Sequence, residues 1–276
     1  MFSDVEKFYA AYRGEKTIVG RSVLGNPVFA LHCGHGYPVG IIQAGMHARE
    51  WIAAYLVMEQ VRLGLRRGSA WFLPLTNPDG ALLSACGIGS VTEEARRKFL
   101  LGANGGEDFS RWKANAAAVD LNVNFDARWG EGLYNVRFPA PANYVGPAPF
   151  SEPESRALRD FTLSVRPQYT ISYHTMGGEI YWHFRQPFLR GLRDKRLACL
   201  LSSLTGYPLK EAAGSVGGYK DWCVRALKIP AFTVEVGEGE HPLGFAALDG
   251  ILGHNLCSVR AFSARWSERR GCFPFF

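Results

Sequence analysis

The apolar positions along this chain repeat with two periods. Val5, Phe8, Tyr9 and Tyr12 fall at helical spacing and predict a short helix near the start. Thr17 to Cys33 alternates around Gly25-Asn26-Pro27, which predicts two strands joined by a turn. The apolar run Pro38-Val39-Gly40-Ile41-Ile42 carries on to Ala44, the mark of a strand buried on both faces. A helical pattern from about Glu50 to Leu65 follows, then a strand over Ala70–Leu75 that ends in the turn signal Thr76-Asn77-Pro78-Asp79-Gly80.

The alternation continues downstream. Thr92 to Leu101 predicts a helix with Glu93 and Glu94 near its start and Arg96, Arg97 and Lys98 later, in accord with the helix dipole. Residues 130–150, rich in Gly, Pro, Asn and aromatics, predict a long irregular loop of the kind that carries function. Ser151-Glu152-Pro153-Glu154 has the form of a capping box and opens a helix to Val165. Strands are expected over Gln168–Tyr173, Glu179–Phe184 and Ala231–Val236. Helices are expected over Pro187–Leu204, Tyr219–Leu227 and Leu243–Arg269, the last with a kink at Gly250 or Gly253. No repeat or linker interrupts the order. The fold class is therefore α/β, one domain over residues 1–276, with a mixed, mostly parallel central sheet and helices on both faces.

Composition narrows the class. A chain of 276 residues, 47% hydrophobic and 20% charged, is globular and long enough for one sizeable core. Its formal charge of +6 gathers partly at Arg66, Arg67, Arg260, Arg265, Arg269 and Arg270, but most basic residues stand among acids. With no nucleic-acid motif, the charge reads as a solvated surface, or as a mild preference for anionic substrates. Cys33, Cys86, Cys199, Cys223, Cys257 and Cys272 form no C-x-x-C pair, and several lie in apolar helical patterns, as free thiols in a reducing compartment do. The N-terminal residues lack the features of a signal peptide, and no stretch is apolar enough to span a membrane. A cytoplasmic enzyme without a membrane span is the expectation.

The chemistry centres on His47-Ala48-Arg49-Glu50, set where a strand gives way to a helix. An imidazole and a carboxylate three residues apart suit zinc, which at catalytic sites takes three protein ligands. Alone, this spacing is common, and a capping or solvated His47 is the bland alternative. A third ligand belongs at another strand end, because α/β sheets build sites at their carboxyl edge. His174 ends an apolar strand and precedes Thr175-Met176-Gly177-Gly178, and so qualifies. His32, His35, His183, His241 and His254 lack that setting, although His183 and His241 are candidates for the cleft wall. Glu235, a lone carboxylate inside Phe232-Thr233-Val234-Glu235-Val236, is the candidate general base, since a charge in a buried strand is costly unless it is paired or used.

These residues resemble the zinc metallocarboxypeptidases of the carboxypeptidase A type. His47-Ala48-Arg49-Glu50-Trp51, Asn77-Pro78-Asp79-Gly80, Asp120-Leu121-Asn122, His174 after its strand and Thr233-Val234-Glu235 occur in that family's order across nearly the whole chain. The resemblance implies one zinc ion held by His47, Glu50 and His174. It implies Glu235 as the general acid/base that activates water and then protonates the leaving amine. It places Arg49 near the substrate and Asn122 in the substrate-carboxylate site.

Three departures bear on substrate. Val123 stands where the family has the Arg that clamps a terminal carboxylate, and valine supplies neither charge nor fork. Lys113 takes the place of the Arg that polarises the scissile carbonyl, as an oxyanion partner or as a solvated lysine. The closing Tyr aligns with Ala213, leaving Tyr144 or Tyr219 as substitutes. Gly217-Gly218-Tyr219-Lys220-Asp221-Trp222 resembles the segment lining the specificity pocket. There Lys220 is either a cation selecting an acidic group or a surface lysine at a helix start.

The stretches Asp120-Leu121-Asn122-Val123-Asn124-Phe125 and Gly146 to Glu154 resemble the bacterial cell-wall branch. That likeness implies a murein-peptide substrate, cut at the γ-D-glutamyl–meso-diaminopimelate amide. Two enzyme alternatives stand beside it: an ordinary metallocarboxypeptidase releasing C-terminal residues, and a zinc deacylase of N-acyl amino acids. A catalytically dead binding module is the alternative from outside enzymes. Protein partners and oligomeric state are not legible in the sequence.

Overall fold

The computed structural model describes residues 1–211 and 214–269; Ala213, Arg270 and Cys272 lie outside the described residues. In chain order the elements are α1 (Phe2–Ala11), β1 (Lys16–Arg21), β2 (Pro27–His35), β3 (Val39–Ala44), α2 (Ala53–Leu63), β4 (Gly68–Leu73), α3 (Pro78–Cys86) and α4 (Glu94–Asn104). They continue as α5 (Pro153–Val165), β5 (Tyr169–His174), β6 (Glu179–Tyr181), α6 (Phe188–Thr205), β7 (Leu209–Lys210), α7 (Tyr219–Trp222), β8 (Ala231–Glu235), α8 (Leu248–Asn255) and α9 (Ser258–Arg269).

The strands form one eight-stranded sheet in the order β1-β2-β4-β3-β5-β8-β6-β7. The pairs β3–β4, β3–β5, β5–β8 and β6–β7 are parallel; β1–β2, β2–β4 and β6–β8 are antiparallel. The expected mixed α/β sheet is thus present. Its centre is apolar on both faces: Ile42, Phe72, Ile171, Phe232 and Val234 pack in one cluster with Leu56 and Val57 of α2 and Leu201 of α6. Ile41, Leu73 and Ala231 pack in another with Leu121 and Phe125. Each fully buried side chain of this kind contributes about 1.5–3 kcal/mol, far more than an exposed ion pair, so packing holds the strand ends in register.

That register decides the site. The neighbours β3, β5 and β8 are parallel and end at the same edge, with Ala44 opposite Tyr173 and His174 opposite Glu235. Gly45, just after β3, has φ +61, and a Cβ there would lie 2.5 Å from Leu75 Cδ1, so glycine permits the turn that delivers His47.

Several local expectations are corrected. Asn77-Pro78-Asp79-Gly80 does not end as a turn; it opens α3. Asn77 Oδ1 accepts the Gly80 N–H at 3.0 Å as the cap, with proline inside the first turn. Asn77 Nδ2 also donates to the carbonyls of Met46 and Ala114, tying the His47 loop to the Lys113 segment. The Ser151–Glu154 capping box is absent: Ser151 Oγ donates to Glu152 Oε1, and Glu154 turns inward. The closing helix breaks after Asn255 rather than at Gly250 or Gly253, because the Asn255 carbonyl is taken by Ser258 Oγ and Gln60 Nε2. The thiols of Cys33 and Cys223 are buried and free, whereas those of Cys86, Cys199 and Cys257 are free and exposed.

Glu154 accepts the Val23 N–H at 3.2 Å and Asn115 Nδ2 at 3.1 Å. Burial, with the Asp79 charge adding to it, pushes its pKa from 4.5 up to about 8. The folded chain therefore keeps a proton that the unfolded chain loses near 4.5. This stabilisation is complete below that pH and declines by up to about 1.4 kcal/mol per pH unit as pH rises towards 8. Glu154→Gln is expected to flatten the decline between pH 5 and 8. Urea midpoints measured across that range check this; an unchanged slope in the variant refutes it.

Candidate active site

His47 follows β3 by three residues, Glu50 closes a single 3-10 turn at Ala48–Glu50, and His174 is the last residue of β5. All three are buried, at 6%, 3% and 1% exposure. His47 Nδ1 lies 2.8 Å from Glu50 Oε1, His174 Nδ1 lies 2.9 Å from Glu50 Oε2, and the two Nδ1 atoms are 3.1 Å apart. The imidazoles of His47 and His174 and the carboxylate of Glu50 are thus placed to hold one metal ion.

The fit to zinc rests on this donor set. Two imidazole nitrogens and a carboxylate are borderline-soft and hard ligands of the kind zinc takes, and three protein ligands are the number found at catalytic zinc sites. Donors about 2.0–2.1 Å from a tetrahedral zinc lie roughly 3.3 Å apart, so a small outward shift of these side chains suffices. Between the two Nδ1 atoms a proton can satisfy only one, and the His174 Nε2 atom is buried without a hydrogen bond. The Glu50 carboxyl is held well below the usual carboxylate range: burial opposes ionisation, but His47 and His174 outweigh it. It also accepts the Thr175 N–H at 3.3 Å.

Asp120 lies behind His47. Its Oδ1 is 3.3 Å from His47 Nε2, a contact whose alignment falls short of a hydrogen bond, and its Oδ2 is 2.8 Å from Lys113 Nζ. Asp120 is fully buried, yet Lys113 and His47 overcome that burial and keep its carboxyl far below the ordinary range. An outer-shell carboxylate on a ligating imidazole fixes the ring and raises its basicity. The sequence offered Asp120 only as part of a motif; its partners are brought together by the fold.

Glu235 ends β8 beside His174 and is partly buried. Burial, joined by the charges of Glu50 and Glu179, pushes its carboxyl up to about 7 against His174 and Lys113. A dication at the neighbouring cluster would favour the carboxylate, the form a base requires. Glu235 opens onto a cavity of about 230 Å³ whose wall includes Asn122, Tyr181, Ser215, Lys220, Asp221 and Thr233.

The other expected residues are distributed as follows. Arg49 donates to the Arg111 carbonyl at 3.3 Å, and its Nε is buried without a partner. Asn122 Oδ1 accepts the Tyr219 N–H at 3.2 Å. Val123 is buried at 7% exposure, so the clamp position is apolar. Lys220 is no surface lysine: it is 7% exposed, and its Nζ lies 2.5 Å from Asp221 Oδ1. Tyr219 is excluded as a closing group, being fully buried with its hydroxyl on Thr162 Oγ1 at 2.8 Å.

Tyr181 and His241 also stand at the site. Tyr181 enters the cavity because β6 runs antiparallel to β8, placing it opposite Thr233 and Glu179 opposite Glu235; its hydroxyl donates to Glu179. His241 stands near the ligands, its Nδ1 3.4 Å from Thr175 Oγ1. Burial lowers its pKa, and Arg49 adds to that. The alternation of Glu179-Ile180-Tyr181 signalled a strand, but pairing with β8 is a tertiary fact.

The sheet edge, the donor cluster and the adjacent carboxylate define a metal-dependent hydrolase. A family model for zinc carboxypeptidases matches residues 12–252, and the chain belongs to that family. It is therefore a zinc metallopeptidase, and the His47–Glu50–His174 cluster is its candidate metal site. The chain is 32% identical over 271 residues to gamma-D-glutamyl-L-diamino acid endopeptidase 1 of Lysinibacillus sphaericus, covering 91% of this chain and 68% of that one. Its fold is similar to bovine thrombin-activatable fibrinolysis inhibitor, with a TM-score of 0.74, 20% identity and coverage of 97% and 96%. It is also similar to the murein-tripeptide amidase MpaA from Escherichia coli O157, with a TM-score of 0.62, 23% identity and coverage of 92% and 93%. Among the described residues no helix is long and apolar enough to cross a membrane.

Proposed function

We propose that this chain hydrolyses the γ-D-glutamyl–meso-diaminopimelate amide of murein-derived peptides. The observation that carries the reading is the pairing of an apolar residue, Val123, at the clamp position with buried charges, Lys220 and Asp221, in the adjoining cavity. Valine cannot clamp a carboxylate, so recognition passes to other groups, and a charged cavity suits a polar side chain beyond the cut. The name of the Lysinibacillus relative, an endopeptidase for γ-D-glutamyl diamino acids, points the same way.

His47, Glu50 and His174 would hold the zinc. When bound, zinc acts as a Lewis acid that makes water nucleophilic near neutral pH and polarises the amide carbonyl. Glu235 takes a proton from the attacking water as the new C–O bond forms. It passes that proton to the departing nitrogen as the C–N bond breaks, and the water's second proton also ends on that nitrogen, giving a glutamyl carboxylate and an ammonium group. Lys113 keeps two N–H donors beyond its bond to Asp120, and one of them stabilises charge on the carbonyl oxygen. Arg49, with its Nε uncommitted, and Asn122 orient the substrate.

The zinc-loaded enzyme is expected to release diaminopimelate from L-Ala-γ-D-Glu-meso-diaminopimelate at least about a hundredfold faster than it releases C-terminal residues from ordinary L-peptides. Mass spectrometry of the products checks this. Rapid trimming of plain peptides with the murein peptide intact would instead favour an ordinary carboxypeptidase; release of free amino acids from N-acyl amino acids alone would favour a deacylase.

A further inference from the structure

We propose that the outer face of α6 is a docking surface for an anionic lipid bilayer. The inference goes beyond the hydrolysis proposed above and does not rest on it.

α6 buries Asp194, Leu197, Ala198, Leu200, Leu201 and Thr205 against the domain. At the period of an α-helix the opposite stripe runs through Phe188, Leu192, Lys195 and Cys199, with Leu189 and Arg196 beside it. A solvated helix carries polar residues there. Instead Phe188 and Leu189 are each 77% exposed, the highest values for large apolar side chains among the described residues, and Leu192 is exposed as well. From Phe188 to Cys199 the stripe is about 17 Å long. It borders a cavity of about 470 Å³ between α6 and α9, whose wall includes Leu192, Lys195, Arg196 and Arg265.

The charge around this stripe is of one sign. Arg190, Arg193, Lys195 and Arg196 lie on α6, and Arg185 stands just before it. Lys228 is exposed beside them, its carbonyl accepting from Arg193 Nη2 at 2.9 Å. Asp194, the one acid on α6, is buried and bound to Arg193 and Gln186.

Large apolar tips among clustered cations match one partner. A bilayer with anionic headgroups takes Phe188, Leu189 and Leu192 into the boundary between headgroups and acyl chains, while the cations stay with the lipid phosphates. A soluble polyanion would answer the cations but leave the apolar tips in water. A second copy of the chain would set like charge against like. The other exposed apolar group, Leu133, Tyr134 and Phe138, lies in a loop whose cations are engaged: Arg128 pairs with Glu131, and Arg137 stacks on Trp129. Docking also fixes where hydrolysis occurs. His183 and Phe184, just upstream of α6, contact Lys220 in the wall of the cavity beside Glu235, so a docked molecule works close to the bilayer.

The test is co-sedimentation of the zinc-loaded enzyme with vesicles of phosphatidylglycerol and phosphatidylcholine in equal parts, against vesicles of phosphatidylcholine alone. Partitioning into the anionic vesicles is expected to be about tenfold or more stronger, and to fall about tenfold between about 0.1 M and about 0.5 M salt. Phe188→Ser with Leu189→Ser should lower it about tenfold or more, and Lys195→Glu with Arg196→Glu by a similar factor. All four side chains lie on the outer face of the helix, so circular dichroism and hydrolysis of a soluble peptide should match wild type in both variants. Tyr134→Ser with Phe138→Ser should leave partitioning unchanged. Absent or equal binding to the two kinds of vesicle overturns the proposal, as does binding lost only in the Tyr134 and Phe138 variant. Salt-sensitive binding that survives substitution of Phe188 and Leu189 marks a site for soluble polyanions. Self-association that those substitutions abolish, with no vesicle binding, marks an interface between copies. Either result also overturns it.

Discussion

Glu235→Gln is expected to lower kcat by about 10²- to 10⁴-fold, the range that general acid–base catalysis contributes, while KM and zinc content stay close to wild type. Glutamine keeps the size of the side chain and its hydrogen-bonding reach, so the cavity wall is preserved, but it cannot take a proton from water or return one to the amine. Zinc retention follows from geometry, because the converging donors belong to His47, Glu50 and His174 and not to Glu235. The contrast with Glu50→Gln makes the assignment sharp. Glu50 lies within 2.9 Å of both Nδ1 atoms, and its loss should release the metal together with the activity. Metal analysis alongside single-turnover hydrolysis separates the two variants. A Glu235→Gln enzyme with wild-type kcat would remove Glu235 from the chemistry.

The second large effect is expected at Asp120, which touches no substrate. Asp120→Ala should weaken zinc binding about 10- to 100-fold, the usual consequence of losing an outer-shell partner of a metal-binding imidazole. It should also destabilise the fold, because Lys113 loses the carboxylate 2.8 Å away. Breaking a buried pair costs about 3–5 kcal/mol. The Lys113 side chain retains 18% exposure, so the lower end of that range applies. Asp120→Asn keeps the shape and removes the charge, and should recover much of the stability but little of the zinc affinity. Competition against a chromophoric chelator and thermal melts of the metal-free proteins report the two quantities separately. Unchanged zinc affinity in both variants would confine Asp120 to packing.

The ends of three strands were legible because apolar runs are bounded by the residues that chemistry needs. His174 directly follows Tyr169-Thr170-Ile171-Ser172-Tyr173, and Glu235 is the one charged residue in Ala231-Phe232-Thr233-Val234-Glu235-Val236. Local periodicity suffices for such placements. It fails where a residue's meaning depends on a distant partner. Asn77-Pro78-Asp79-Gly80 has the composition of a turn, and only the Asn77 cap and the carbonyls of Met46 and Ala114 show it to be a helix start that also braces the metal loop. Lys220 looks like a helix-start lysine until burial and Asp221 are seen together. Tyr181 joins the cavity only through antiparallel pairing with β8, a reversal among parallel neighbours that no local pattern announces. Glu154 fits a capping box by spacing, yet it is drawn inward by Asn115 and the Val23 N–H.

His174 and Glu235 end adjoining strands of the sheet's core, and His47 and Glu50 stand on the turn that directly follows a third, whereas Lys113, Val123 and Lys220 stand on segments outside the sheet. Hydrolytic power and substrate choice therefore have different structural owners. Evolution can rewrite Lys220, Asp221 or Val123 without moving the donors by more than side-chain adjustments, so a lineage built on this sheet can acquire new amide substrates while keeping one inherited reaction.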